Sequence, residues 1–220
     1  MSSSTMKQQH NTLIIMARAP LITRVKSRLA PELNQRQRLH FHRASLNRLL
    51  ALTASGHFAL RFYQSSSSPL PSPYARSTVH RLQQGYDLGE RMQHAIEEEL
   101  KVSQRVCLIG SDCLQLGLAN IEQAFASLAE RRSVVFTPAN DGGYVLVGMR
   151  HACPALFKSI RWGTNDVLQK SIKRATQQGR KVSLMPALVD VDTYKDIEHL
   201  QQSLLHSHLD SAASAIIRSL

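Results

Sequence analysis

The chain has 220 residues, 43% of them hydrophobic and 5% aromatic, with a formal net charge of +11. That length suits one domain with one sizeable core, and no run of about 18 apolar residues is present to cross a bilayer. Three cysteines, Cys107, Cys113 and Cys153, show neither CxxC spacing nor an even count, which favours reduced, partly buried thiols over a disulfide framework or a zinc site.

The charge is concentrated at one end: residues 1 to 75 hold ten Lys or Arg against the single acid Glu32. Such a half suits nucleic acid, an anionic membrane surface or a phosphorylated small molecule. Arg36, Arg38, Arg43 and Arg48 share one predicted helix and are expected on its solvated face. No RNA-binding aromatic motif and no zinc finger is present, and aromatic residues are few, so specific nucleic-acid recognition is not expected.

In chain order, "MSSSTMKQQHNT" lacks the apolar core of a signal peptide, so residues 1 to 11 are expected to be a disordered leader and the protein cytoplasmic. "TLIIMAR" (12 to 18) predicts a buried first strand, and residues 19 to 31 a basic loop. Pro31 precedes a helical pattern running to about Ser55, with Leu39, Leu46, Leu49 and Leu50 near one face. "FALRFYQ" (58 to 64) predicts a strand, "SSSSPLPSP" a loop, and residues 88 to 100 a helix. "RVCLIGSD" (105 to 112) is a buried strand that ends at an acid, followed by a helix near 118 to 130. "SVVFTP" and "YVLVGM" are strands on either side of "ANDGG", which reads either as a tight hairpin turn or as a break that carries an acid to a ligand. "TNDVLQKSIKRATQQG" predicts a helix capped by Thr164 and stopped by Gly179. "KVSLMP" is a strand, "VDVDT" a turn and "YKDIEHLQQSLL" the closing helix. Residues 203 to 220 either extend that helix or form an oligomer contact, such as a homodimer face. Apolar strands alternating with helices imply an α/β fold with a mainly parallel sheet covered on both faces.

Three polar segments sit at strand ends, where open α/β sheets bind ligands. The loop "ARAPLITRVKSRL" carries Arg18, Arg24, Lys26 and Arg28 without any glycine, so it is no Walker loop, yet its cations suit a diphosphate or triphosphate. Asp112 follows a buried strand and offers a hard oxygen ligand for magnesium or manganese, or else caps the next helix. Asp190 and Asp192 are two apart, so in an extended stretch both point to one side and repel unless a cation or proton joins them. One of Asp192 and Thr193 is expected to cap the closing helix.

"MARAPLITRVKSRLAP", "QGYDLGERM", "LIGSDCLQL", "TPANDGGYVLVGM", "IRWGTNDVL" and "DVDTYKDI" occur in the order that resembles the bacterial DUF2064 family, of the GT-A glycosyltransferase and nucleotide-diphospho-sugar transferase superfamily. The resemblance covers about residues 12 to 202, read as one domain, and implies a GT-A fold: a Rossmann-like α/β/α sandwich with a mainly parallel, mixed sheet. It implies a transferase taking a nucleotide-sugar or nucleoside triphosphate and a small-molecule acceptor, with Mg2+ or Mn2+ as cofactor. Phosphate contacts would come from Arg18, Lys26 and Arg28, with Gln84 and Asp87 in the nucleotide wall. Metal ligation would fall to Asp112 and Asp192, with Asp190 third. Gly142, Gly143, Tyr144, Trp162, Gly163 and Thr164 would line the acceptor half, where Asp141 is the candidate base. The chain departs from the family at Thr23 and Thr137, where glycine is usual, and at Leu114, where proline is usual.

Overall fold

In the computed structural model of the chain, the described residues are 9–18, 25–66, 79–203 and 209–220. The apolar run predicted as the first strand is β1 (Gln9–Ala17), flanked in parallel by β2 (Ala59–Gln64) and β4 (Ser103–Ile109). Beyond β2 lies β3 (Val79–Leu82), and beyond β4 lie β6 (Tyr144–Met149), β5 (Ser133–Pro138) and β7 (Lys181–Leu184), giving the order β3-β2-β1-β4-β6-β5-β7. Only β6 runs against its neighbours, β4 and β5, so the sheet is mixed but mainly parallel. The fold class is the expected α/β, GT-A type.

Alternation along each strand builds two cores. Leu13, Ile15, Ala17, Cys107 and Ile109 face α1 (Gln35–Thr53) and α3 (Leu118–Ser127), while Ile14, Met16, Val106 and Leu108 face α2 (Leu88–Leu100) and α4 (Val167–Gln177). Because both faces are covered, a strand must be apolar at every position, which is why these runs lack polar alternation. A third cluster joins α1 to α5 (Tyr194–Ser203) and α6 (Ser211–Arg218) through Phe41, Ile197, Leu200, Ala213 and Ile217.

Several expectations are corrected. Residues 9 to 11, expected in the leader, belong to β1, which pairs Gln9 with Ser103. The carboxyl-terminal segment neither extends α5 nor presents its apolar side outward: α6 is a separate helix whose Ala213, Ile216 and Ile217 are buried in this chain. Thr164 does not cap α4; Asp166 holds that position, and the Thr164 hydroxyl sits 2.7 Å from both the Arg161 carbonyl and the Asp166 carboxylate. Thr193 takes the cap position directly before α5, as one of the pair was expected to, but through its backbone: its carbonyl accepts from the Asp196 amide at 3.1 Å, and the Asp196 carboxylate accepts from the Asp192 and Thr193 amides at 3.0 and 2.7 Å. The three cysteines are free and buried, and burial pushes the Cys113 thiol up to about 12. No helix among the described residues is long and apolar enough to cross a membrane.

Arg48 is also unlike the solvated helix face expected of it: it is 7% exposed and grips Asp210 through Nε at 3.0 and 3.1 Å and through Nη2 at 2.7 Å. Asp210 in turn caps α6 by accepting from the Ala213 amide at 2.7 Å. Burial raises the Asp210 carboxyl, but the Arg48 hydrogen bonds and the cap outweigh it and leave it below the ordinary range. A depressed acid contributes stability above its unfolded value, near about 3.9, and loses it as pH falls through the folded value. Asp210→Ala is therefore expected to cost about 2 kcal/mol near neutrality, or roughly 4–8 °C, from the lost cap and the unpaired guanidinium. Thermal unfolding as a function of pH checks it: the gap from the wild type should close as pH falls below about 3 to 4.

Candidate active site

The chain leaves β1 toward β2 on one side of the sheet and later returns to place β4 on the other. This reversal leaves a crevice beyond the carboxyl ends of the two strands. A cleft of about 520 Å3 lies there, floored by Ala17 and Arg18 after β1 and by Gly110, Ser111 and Asp112 after β4. Lys26 and Arg28 enter from the basic loop, and Asp141, Gly163 and Asp192 from the loops at the β6 and α5 side. A Cβ added at Gly110 would meet nothing within 4 Å, so the glycine opens the floor.

Opposite charges meet at its centre. Lys26 Nζ is 3.0 Å from Asp112 Oδ2 and 3.9 Å from Asp192 Oδ1, and Arg28 Nη1 is 2.8 Å from Asp192 Oδ2. Burial raises the Asp112 carboxyl, but the charge and hydrogen bond of Lys26, with the Ser111 hydroxyl, more than offset this and hold it below the ordinary range. Asp190 has the opposite fate: burial, then the charge of Asp112, push its carboxyl up to about 7 against the pull of Lys26, with Asp192 and Asp141 adding to the rise. Two carboxylates, Asp112 and Asp192, thus meet one buried ammonium, and Arg28 pairs Asp192 from the solvent side. Asp112, Asp192 and the Val191 carbonyl, which accepts from Lys26, set hard oxygens around a point already held by a cation, so the donor chemistry fits Mg2+ or Mn2+. Among the described residues no three acids, thiols or imidazoles are already gathered to hold a metal ion.

The "ANDGG" segment is a turn and a site wall at once. β5 and β6 pair antiparallel across it, with a bulge at Thr137/Pro138. The Gly142 amide donates to the Ala139 carbonyl at 3.2 Å, and Gly143 N–H donates to Asp141 Oδ1 at 2.9 Å. The loop is pinned from outside by Asn140 to Leu188 at 3.2 Å and Leu168 to Gly142 at 2.9 Å. Gly142 has φ +89, and a Cβ there would lie 2.1 Å from the Asn165 carbonyl oxygen, so only glycine fits. The result is an exposed Asp141 at the cleft edge whose backbone cannot drift.

The other sequence-predicted residues divide. Arg18, Lys26, Arg28, Asp112, Asp141, Gly163 and Asp192 all line the cleft. Gln84 does not; it borders a separate hollow with Tyr63, His80 and His94. Asp87 caps α2, accepting from the Glu90 amide at 2.8 Å. Tyr144 turns into the core, its ring 5.1 Å from that of Phe136 and 6.5 Å from that of Trp162, and Trp162 packs over Gly89 of α2. Trp162 and Tyr144 therefore lie behind the cleft rather than in its lining. Gly143 and Thr164 serve the turns already described. Arg24 and Thr23 lie outside the described residues. Leu114 is buried beneath α5 and α6, and Thr137 lies buried in β5 with no partner for its hydroxyl.

The cleft also holds His42 and Gln83, which lie in none of the quoted motifs, and Arg91, which lies within "QGYDLGERM" but to which the resemblance gives no role. His42 is 4% exposed, with Nε2 3.0 Å from the Arg18 carbonyl, which can only accept, so Nε2 carries the proton. Burial outweighs that bond and the Asp112 charge and lowers its pKa, which keeps the imidazole neutral. Gln83 donates its amide to the Tyr63 carbonyl at 2.9 Å and to the Ala17 carbonyl at 3.4 Å. Arg91 is steadied by the Gly85 carbonyl at 3.0 Å.

Comparison with known proteins agrees with this fold. Residues 40–164 match the family described as an uncharacterized protein conserved in bacteria, DUF2064. A candidate nucleotide-diphospho-sugar transferase from Desulfovibrio desulfuricans G20 is similar in structure, with a TM-score of 0.84 and 28% identity over 95% of this chain and 97% of that one. Two more distant structures share the fold: Rv0371c of Mycobacterium tuberculosis H37Rv in complex with manganese (TM-score 0.52, 15% identity, 89% and 99% covered), and a nucleotidyl transferase from Methanothermobacter thermautotroptrophicus (0.55, 10%, 89% and 98%). No curated protein matches the chain.

Proposed function

The chain belongs to the DUF2064 family, and from that premise we propose that it is a divalent-cation-dependent transferase using a nucleotide-linked donor, with transfer of a glycosyl group as the first reading. The observation that supports this most is the convergence of Lys26 and Arg28 with Asp112 and Asp192 at the switch point of the sheet. Lys26 and Arg28 would bind the diphosphate and stabilise its charge as it leaves. Asp112 and Asp192, with Asp190 behind them, would hold Mg2+ or Mn2+, whose charge lowers the cost of the departing anion. Gln83 and Arg91 would border the nucleotide.

In glycosyl transfer the bond from the anomeric carbon to the diphosphate oxygen breaks, and the electron pair leaves with the nucleoside diphosphate. The acceptor hydroxyl forms the new bond and gives its proton to Asp141, whose other oxygen is already oriented by Gly143 N–H. A small-molecule acceptor fits a cleft of this volume. The second reading is nucleotidyl transfer to a small phosphorylated acceptor. It is favoured by the single acid of "GSD" and by fold neighbours that include an enzyme complexed with CTP.

Thermal shift with nucleoside triphosphates, nucleoside diphosphates and nucleotide-sugars, each with and without Mg2+ or Mn2+, tests both. A ligand at 100 times its Kd adds about 2.7 kcal/mol, which moves Tm by roughly 5–10 °C in a chain of this size. A metal-dependent shift with a nucleotide-sugar, followed by release of nucleoside diphosphate, supports the first reading. A shift with a triphosphate and release of pyrophosphate supports the second. If no nucleotide shifts the protein, it is a degenerate member that has kept the fold and lost the donor.

A further inference from the structure

The acids and the lysine of the cleft form a closed cage rather than an open cation site. Lys26 Nζ touches Asp112 Oδ2 at 3.0 Å, lies 3.9 Å from Asp192 Oδ1 and donates to the Val191 carbonyl oxygen. The Phe41 ring closes another side, its centroid 5.6 Å away. Only 5% of the Lys26 side chain is exposed. Its backbone sits in the left-handed region, at φ 52 and ψ 48, a conformation that a non-glycine residue keeps only where its surroundings impose it. Lysine side chains ordinarily extend into water. This one is held inward by two carboxylates, a carbonyl and a ring.

We infer that Lys26 is a tethered competitor of the divalent cation. Its ammonium and a metal ion exclude each other from the oxygens of Asp112, Val191 and Asp192, and the cage opens when a diphosphate draws Lys26 out. This rests on the reading of the cleft as a cation and nucleotide site, and it adds an order of events to that reading. Two cations cannot share these oxygens, because the ammonium already lies in contact with them and the repulsion at such distance in a half-buried site is large. An anion changes the balance. A diphosphate beside the cage offers Lys26 a partner, and releases the two carboxylates, which then repel one another unless a divalent ion replaces the ammonium. Arg28, 61% exposed on the solvent side of Asp192, can take phosphate without such a rearrangement. Metal alone therefore binds weakly, and metal with nucleotide binds strongly.

The test is Mn2+ binding to the metal-stripped protein without nucleotide, followed by the electron paramagnetic resonance of free Mn2+ and by calorimetry. Lys26→Met removes the competing charge and keeps the length of the chain. It is expected to bind Mn2+ at least about tenfold more tightly than the wild type, although it has lost a phosphate ligand. Lys26→Gln, uncharged but able to donate to the Val191 carbonyl, should show the same gain, which covers the case in which the methionine variant fails to fold. Adding Asp112→Asn to either variant should abolish the gain; a gain that survives places the ion elsewhere and overturns the inference. Equal affinity in wild type and variants sinks the competition but leaves the cation reading of the cleft intact. Absence of Mn2+ binding in all of them, with or without nucleoside diphosphate, overturns that reading and the competition with it.

Discussion

Asp112→Asn is expected to weaken metal-dependent nucleotide binding about a thousandfold while moving Tm by less than about 4 °C. The first figure follows from charge: a carboxylate about 4 Å from a cation, at the effective dielectric of a partly buried site, contributes about 4 kcal/mol for each unit of the cation's charge, so losing even half of a divalent ion's attraction amounts to about a thousandfold. The second follows from what stays behind. Lys26 keeps Asp192 and the Val191 carbonyl, so its buried ammonium is not stranded. The change also relieves Asp190, whose carboxyl is raised by burial and then by the charge of Asp112. The isosteric amide keeps an oxygen for the Ser111 hydroxyl, now 3.0 Å from the carboxylate. A net cost of about 1 kcal/mol corresponds to roughly 2–4 °C in a chain of this length. Isothermal titration of nucleotide with Mn2+, beside a melting curve, separates the roles. A large fall in Tm with undiminished affinity would make Asp112 a clamp for Lys26 and nothing more.

The same carboxylate shows what was legible in the sequence. An acid at the end of an unbroken apolar strand announces a residue pushed out at a strand end, and "VCLIGSD" is such a string. Asp141 was marked by the two glycines after it, because a turn with φ +89 at Gly142 leaves a trace in composition. Helix α2 was legible to the residue because its amphipathic pattern starts after an aspartate, the cap the backbone requires. That cap is also why Asp87 could not be told from a cleft residue: the same side chain serves either purpose.

What could not be read depends on the third dimension. β3 is short, sits at the sheet edge and is largely exposed, so it lacks the apolar signature of the inner strands. The resemblance pointed to Gln84, but the residue that lines the cleft is its neighbour Gln83, and in an extended chain a step of one residue reverses the face. The Gln83 amide continues the ladder to the Gln64 carbonyl at 2.9 Å, which fixes the phase. His42 reaches the cleft from a helix through tertiary placement alone, and nothing in "QGYDLGERM" tells Arg91, which faces the cleft, from its neighbours. Tyr144 was misjudged in its direction, because its place beside the turn says nothing of the aromatic core that draws it inward.

Glu99→Gln is expected to lower Tm by roughly 10 °C and to weaken nucleotide binding although the residue is remote from the cleft. Glu99 is 1% exposed and accepts from Tyr63 Oη at 3.0 Å, Arg61 Nε at 3.1 Å and Arg81 Nε at 2.9 Å. One carboxylate of α2 thereby ties β2 to the edge strand β3. Burial, then the Glu99 charge, raise the Tyr63 phenol far above its usual range, so it remains a donor. Glutamine keeps the shape but leaves two guanidinium groups facing an amide, and Arg61, with 16% of its side chain exposed, has little water to turn to. Removing one partner of a buried ion pair costs about 3–5 kcal/mol, whereas Arg81→Ala, on the half-exposed arm, should cost about 1 kcal/mol or less. The binding effect follows from position. Gln83 succeeds β3 directly and hangs from the Tyr63 and Ala17 carbonyls, so an edge strand released from Glu99 no longer holds it over the cleft. Hydrogen exchange should show β3 opening in the Glu99 variant before β1 and β4 do. A variant that melts within about 3 °C of the wild type would mean that backbone pairing with β2 alone holds the edge, and that the buried carboxylate is dispensable.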